Sequence, residues 1–134
     1  MVTYTLPNGK TIKVSANKNG VSDKMLGGLH YRYRIIFKTN EKKVSFTFHG
    51  SIADFRNGAR MTDDDINGAV DCILADAYAY LNTRNHFNFA REYGYGEVEG
   101  KRIFNACMNT YYKLLEIMTE SELEELNEFV QNNY

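Results

Sequence analysis

The sequence predicts an α+β fold, an N-terminal antiparallel sheet of about four strands packed against about four C-terminal helices in a single domain spanning residues 1–134. Three observations carry this. Two-residue apolar alternation dominates residues 2–14 and 30–49. A helical period with capping signatures dominates residues 62–131. The 134 residues are 43% hydrophobic and 13% aromatic with a single proline, enough apolar surface for one packed core and against a disordered polar chain.

Residues 2–14 form the first expected hairpin. Pro7-Asn8-Gly9 suits a three-residue loop, a type I turn closed by a left-handed glycine. That register pairs Leu6 with Lys10, Tyr4 with Ile12 and Val2 with Val14, and puts Thr3, Thr5, Thr11 and Lys13 on the other face. A two-residue Asn8-Gly9 loop would pair Tyr4 with Lys13 and scatter the apolar set over both faces. Residues 16–29 lack a sustained period and read as a long loop. Residues 30–38 and 42–49 then alternate clearly. A tight connection at Asn40-Glu41 pairs Tyr33 with Phe48, Ile35 with Phe46 and Phe37 with Val44 as a core face. The opposite face carries Arg32 beside His49, Arg34 beside Thr47, Ile36 beside Ser45 and Lys38 beside Lys43.

Thr62 followed by Asp63, Asp64 and Asp65 starts a helix, with a capping hydroxyl and three carboxylates at the positive end of the dipole. It is expected to run to about Leu81, burying Ile66, Ala69, Val70, Ile73, Ala77 and Leu81, with Cys72, Leu74, Tyr78 and Tyr80 on its flanks and Asp71 and Asp76 facing away or marginal. A short helix over about 84–93 ends at Gly94, the left-handed residue past its C-terminus. A helix over about 98–118 buries Ile103, Ala106, Cys107, Thr110, Tyr111, Leu114 and Ile117. Thr119-Glu120-Ser121-Glu122 is a capping box for a last helix with the apolar row Leu123, Leu126 and Val130. That row either packs internally or pairs with a second copy, so the oligomeric state stays open.

The first residues lack the pattern of a signal peptide, and no apolar run reaches the ~20 residues of a membrane span. Cys72 and Cys107 show no CxxC spacing and read as reduced core residues of a soluble, cytoplasmic protein. Catalytic signatures are weak. Asp63–Asp65 at a helix start compensate a dipole more often than they bind metal or transfer protons. His30, His49 and His86 fit no ligand spacing, and Cys107 has no evident base. Gly94 and Gly96 lack the context of a phosphate loop. The chain therefore reads as non-enzymatic, with no cofactor and no metal, a hydrolase using Asp or His residues being the remaining alternative. Tyr93 and Tyr95 either anchor a partner or pack over a helix end.

The formal charge of -1 is a cancellation. Residues 1–60 hold 11 Lys and Arg against 3 Asp and Glu, while residues 61–134 hold 5 against 14. The chain thus offers a basic half to phosphates and an acidic half to basic partners, unless the two neutralise each other at their margins.

Tyr31-Arg-Tyr-Arg-Ile-Ile-Phe-Lys38, Lys43-Val-Ser-Phe-Thr-Phe-His-Gly-Ser-Ile52, the Asp-rich helix with Cys72 and Asp76, Phe87-Asn-Phe-Ala90, Tyr93-Gly-Tyr95 and the Cys107 helix resemble small accessory proteins of phages and mobile elements of Gram-positive bacteria. The resemblance covers about residues 28–126. It implies a binding role in the cytoplasm of a bacterial host, such as that of anti-CRISPR inhibitors acting on an RNA-guided nuclease, and supplies no functional residues. Two expectations follow. In the leading one the protein binds a host protein or nucleoprotein stoichiometrically, with Asp63, Asp64, Asp65 and Asp71 as acidic contacts and Tyr93 and Tyr95 as aromatic ones. In the alternative, Arg32, Arg34, Lys38, Lys43 and His49 contact nucleic-acid phosphates.

Overall fold

The turn chemistry at Pro7-Asn8-Gly9 acts as its sequence dictates in the computed structural model, which describes residues 1–22, 30–51 and 61–132, with side chains at all of these but 22, 30, 50, 51, 86 and 87. Gly9 adopts φ +89°. Its N–H donates to the Leu6 carbonyl at 2.8 Å, and the Leu6 N–H donates to the Lys10 carbonyl at 2.9 Å. The hairpin joins β1 (Val2–Thr5) to β2 (Thr11–Ser22) with Val2 opposite Val14 and Tyr4 opposite Ile12. β3 (His30–Lys38) and β4 (Lys43–Ser51) complete an antiparallel sheet in the order β1-β2-β3-β4. Their register is the expected one, with Tyr33 opposite Phe48, Ile35 opposite Phe46 and Phe37 opposite Val44.

One expectation fails in this half. Residues 16–22, read as loop, are strand, and β2 pairs with β3 from Lys13↔Lys38 to Ser22↔His30. The alternation is hidden because a bulge between Lys18 and Gly20 shifts its phase by one residue. Beyond Val14, moreover, β2 has no β1 partner, so Asn17, Lys18 and Asn19 lie where polar side chains are tolerated. Residues 23–29 of that expected loop, with Gly27 and Gly28, lie outside the described residues.

The chain separates into two compact units, Met1–Ala69 and Val70–Tyr134. In the first, Tyr4, Ile12, Val14, Tyr33, Ile35 and Phe37 form the buried face of the sheet, joined by Ile66 and Ala69 from the start of α1 (Asp63–Thr83). Each Val, Ile and Phe among them contributes roughly 1.5–3 kcal/mol by leaving water. Tyr4 donates its hydroxyl to Asn67 Oδ1, so the first turns of α1 lie on this inner side.

The second unit continues α1 and adds α2 (His86–Tyr93), α3 (Glu97–Leu114) and α4 (Glu120–Asn132). Within α1 the buried stripe turns toward Leu74, which is fully buried, while Leu81 is only half-buried. Cys72 is exposed rather than a core residue. It lies two residues beyond Val70, about 200° round the helix and on the far side from the stripe. Arg84, at φ +49°, takes the left-handed position that ends α1 and donates its N–H to the Tyr80 carbonyl at 2.7 Å. Gly94 ends α2 at φ +75°, and the Tyr95 N–H reaches back to the Ala90 carbonyl at 2.9 Å. Phe89 and Ala90 are buried, the positions a short helix over this stretch turns inward; the Phe87 side chain is not among those described.

α3 buries Gly100, Phe104, Cys107, Tyr111 and Leu114, a face rotated from the expected one; Ile103 and Thr110 are half-buried and Ala106 is exposed. Gly100 selects that face. A Cβ there would sit 2.5 Å from the Ala90 Cβ, so only glycine lets α2 and α3 approach this closely. α3 stops at Leu114 rather than Met118, because tighter three-residue turns over Lys113–Ile117 lead the chain to the next cap. There Thr119 and Glu122 form the expected box: the Thr119 N–H donates to Glu122 Oε1 at 2.8 Å and the Glu122 N–H to Thr119 Oγ1 at 3.1 Å. Leu123, Leu126 and Val130 are buried within the chain.

Candidate nucleic-acid interface

The alternation that sends Tyr33, Ile35 and Phe37 inward sends Arg32, Arg34, Ile36 and Lys38 outward. Pairing of three strands turns these into cross-strand rows. Lys13, Lys38 and Lys43 form one row, Ser15, Ile36 and Ser45 the next, Asn17, Arg34 and Thr47 a third, and Gly20, Arg32 and His49 a fourth. Neighbouring strands lie ~4.8 Å apart and rows two residues apart lie ~6.6 Å apart, so five cations occupy a patch of roughly 10 by 20 Å.

Among the described residues, no carboxylate pairs with that patch. The four strands contain no Asp or Glu. Lys13, Arg32, Arg34, Lys38 and Lys43 are exposed, and among the described residues none of them forms an ion pair with a carboxylate. Two described acids of the same unit have other partners. Asp65 accepts the Thr62 N–H at 2.8 Å while its own N–H donates to Thr62 Oγ1 at 3.2 Å, a reciprocal cap. Its charge faces the inner side, where after burial and Tyr31 it helps to raise the Tyr33 hydroxyl above its usual range. Asp63 lies 3.2 Å from the Met1 amino group.

Two shallow grooves cut the outer face on either side of Ile36. One, of about 410 Å³, is lined by Lys13, Lys38, Thr11 and Ser15 among others; the other, of about 170 Å³, is lined by Arg34, Lys43, Val44 and Ser45. Gly20 shapes the far end of the face. It adopts φ +149° in the bulge, and the Arg32 guanidinium lies across it, with Nη2 3.4 Å from where a Cβ would be. Lys18 points to the inner side instead, its ammonium 4.3 Å from the centre of the Tyr31 ring.

Arg32, Arg34, Lys38, Lys43 and His49 are therefore brought together on one surface. Lys13 joins them, a residue that the first hairpin already placed on its polar face. Its membership depends on the β2–β3 pairing, which the obscured alternation of residues 16–22 concealed. The acidic and aromatic candidates do not form one cluster. Asp64 is exposed in the first turn of α1. Asp71 belongs to the second unit, where it accepts a bond from Gln131 Nε2 at 2.7 Å. Tyr93 and Tyr95 flank the buried Phe89, with ring centres at 4.8 and 6.0 Å, so each spends one face on packing while remaining 44% and 42% exposed. Among the described residues, no group of three or more His, Cys, Asp or Glu could hold a metal ion, and no helix is long and apolar enough to cross a membrane.

Comparison with protein-family models, curated proteins and solved structures finds no match to this chain.

Proposed function

We propose that this protein is a non-enzymatic nucleic-acid-binding protein whose outer sheet face engages the phosphate backbone. The observation that carries this reading is the five-cation face of Lys13, Arg32, Arg34, Lys38 and Lys43 on strands without a carboxylate. Unpaired surface cations repel one another, and a polyanion relieves that repulsion while releasing its condensed counterions. Arginine forks and lysine point charges supply contacts to phosphate oxygens, and the intervening Ser, Thr and Asn side chains supply neutral donors. These contacts position a nucleic acid without reading its bases. Reversing two charges, Arg34→Glu with Lys38→Glu, abolishes binding in a gel-shift titration, whereas Asp63→Asn with Asp64→Asn preserves it. The opposite pattern refutes the reading.

A second reading rests on the segment from Tyr93 to Val98, where Val98 is 86% exposed beside the two half-exposed tyrosines. In it, this apolar patch docks a host protein, such as an RNA-guided nuclease, with the exposed Glu92 and Glu97 beside it in the chain. Tyr95→Ala with Val98→Asp then eliminates capture of that partner and leaves nucleic-acid binding unchanged.

A further inference from the structure

Ile36 is the anomaly of the outer face: an aliphatic side chain at the centre of a basic, hydroxyl-rich surface, half-buried between Ser15 and Ser45. The two grooves flank it, and each holds two cations, Lys13 with Lys38 on one side and Arg34 with Lys43 on the other. The aliphatic stems of lysine and arginine can cover such a residue in the free protein while their charged ends stay in water.

Resting on the nucleic-acid reading above, we propose that the two grooves are seats for phosphates of one double-helical backbone, with Ile36 against the sugar between them. In the larger seat two ammonium groups and the hydroxyls of Thr11 and Ser15 surround the anion; in the smaller, the Arg34 guanidinium presents its planar fork beside Lys43. The ridge suits the sugar, the least polar part of the backbone.

The choice of duplex over single strand comes from what the face lacks and how it is held. Single strands gain affinity by stacking unpaired bases on aromatic side chains. In the described strands every Tyr and Phe, that is Tyr4, Tyr31, Tyr33, Phe37, Phe46 and Phe48, falls on the inner side of the alternation. Among the described residues the outer face therefore offers a base no Tyr or Phe ring, only the His49 imidazole at its far end. Its cations project from three hydrogen-bonded strands, a fixed array that matches a stiff line of phosphates better than a flexible chain, which must first be ordered.

Fluorescence anisotropy with a labelled 16-base-pair duplex and with each of its single strands tests this. The full chain binds the duplex at least about tenfold more tightly than either strand at equal salt. Lys13→Gln with Lys38→Gln, and Arg34→Gln with Lys43→Gln, each lower the salt dependence by about two phosphate contacts. Ile36→Asn weakens duplex binding severalfold without altering that salt dependence, because it removes an apolar contact and no charge. Circular dichroism confirms that each variant is folded, and Lys18→Gln, on the inner side, serves as the unchanged control. Single strands binding as tightly as the duplex, or Ile36→Asn binding like the parent, overturns the two-seat arrangement while leaving backbone binding intact. Failure of every nucleic acid to bind overturns the parent reading itself.

Discussion

Replacing Gly100 by alanine sets two effects of known sign against each other. Alanine is favoured over glycine inside a helix by about 0.8–1.0 kcal/mol, so on propensity alone Gly100→Ala stabilises α3. The added Cβ, however, meets the Ala90 Cβ at 2.5 Å and the Ala90 Cα at 3.0 Å. The second of these atoms is backbone and cannot rotate away, so α2 and α3 must separate. Overpacking of this kind costs typically ~1–3 kcal/mol, and separation also loosens Phe89 against Phe104, whose rings are 5.9 Å apart. With the clash toward the upper end of that range, the net is a destabilisation of about 1–2 kcal/mol. At ~2.1 cal/mol/K of unfolding entropy per residue, that lowers the melting temperature by about 4–7 °C. Differential scanning calorimetry reads the shift, and Ala90→Gly in the same chain should recover part of it as a favourable coupling in a double-mutant cycle. A melting temperature that rises on Gly100→Ala would refute the close approach of the two helices and the rotated face of α3 that depends on it.

Thr119→Ala removes one arm of the α4 cap and leaves the Glu122 N–H without its acceptor; urea titration should show a loss of about 1 kcal/mol. Alkaline pH should destabilise the fold. Burial, then Asp76, pushes the Cys107 thiol up to about 11 from its usual 9.0, and burial, then Glu124 and Glu128, pushes the Tyr78 hydroxyl up to about 12 from 10.0. Both groups keep their protons longer folded than unfolded, so their contribution is complete below pH 9 and is lost as pH rises from 9 to 12. Melting temperatures across that range should fall, and less steeply for Cys107→Ala between pH 9 and 11. The thiols should also separate kinetically. Exposed Cys72, its thiol raised by partial burial and then by Asp71 and Asp76, reacts slowly with a disulfide reagent at pH 7 and faster as pH rises, whereas buried Cys107 reacts only on unfolding.

The sheet was legible wherever its two-residue period ran unbroken. Pro7-Asn8-Gly9 dictated one register through turn chemistry and Asn40-Glu41 the other through the apolar match across it, and the structure has both. The pairing of β2 with β3 was not legible, because one inserted residue near Asn19 reverses the side to which every later side chain points. Helix starts were clear at Thr62 and Thr119, where a cap is a local interaction of three residues. Helix faces were less so. Which side of α3 is buried depends on where α2 lies against it, and Gly100, which selects that side, reads in the sequence only as a tolerated defect. The candidate surface followed the same division. Arg32, Arg34, Lys38 and Lys43 belong to a hairpin whose register the sequence specifies, whereas Lys13 and the groove it shares with Lys38 exist only once β2 has joined β3.

The charge of the outer face is the centre of this account, and the salt dependence of duplex binding measures it most directly. With Lys13, Arg32, Arg34, Lys38 and Lys43 each neutralising one phosphate, the logarithm of the binding constant should fall against the logarithm of salt concentration with a slope of about -4.5, roughly a 500-fold loss between 50 and 200 mM. A slope near zero, or no binding at low salt, would contradict it.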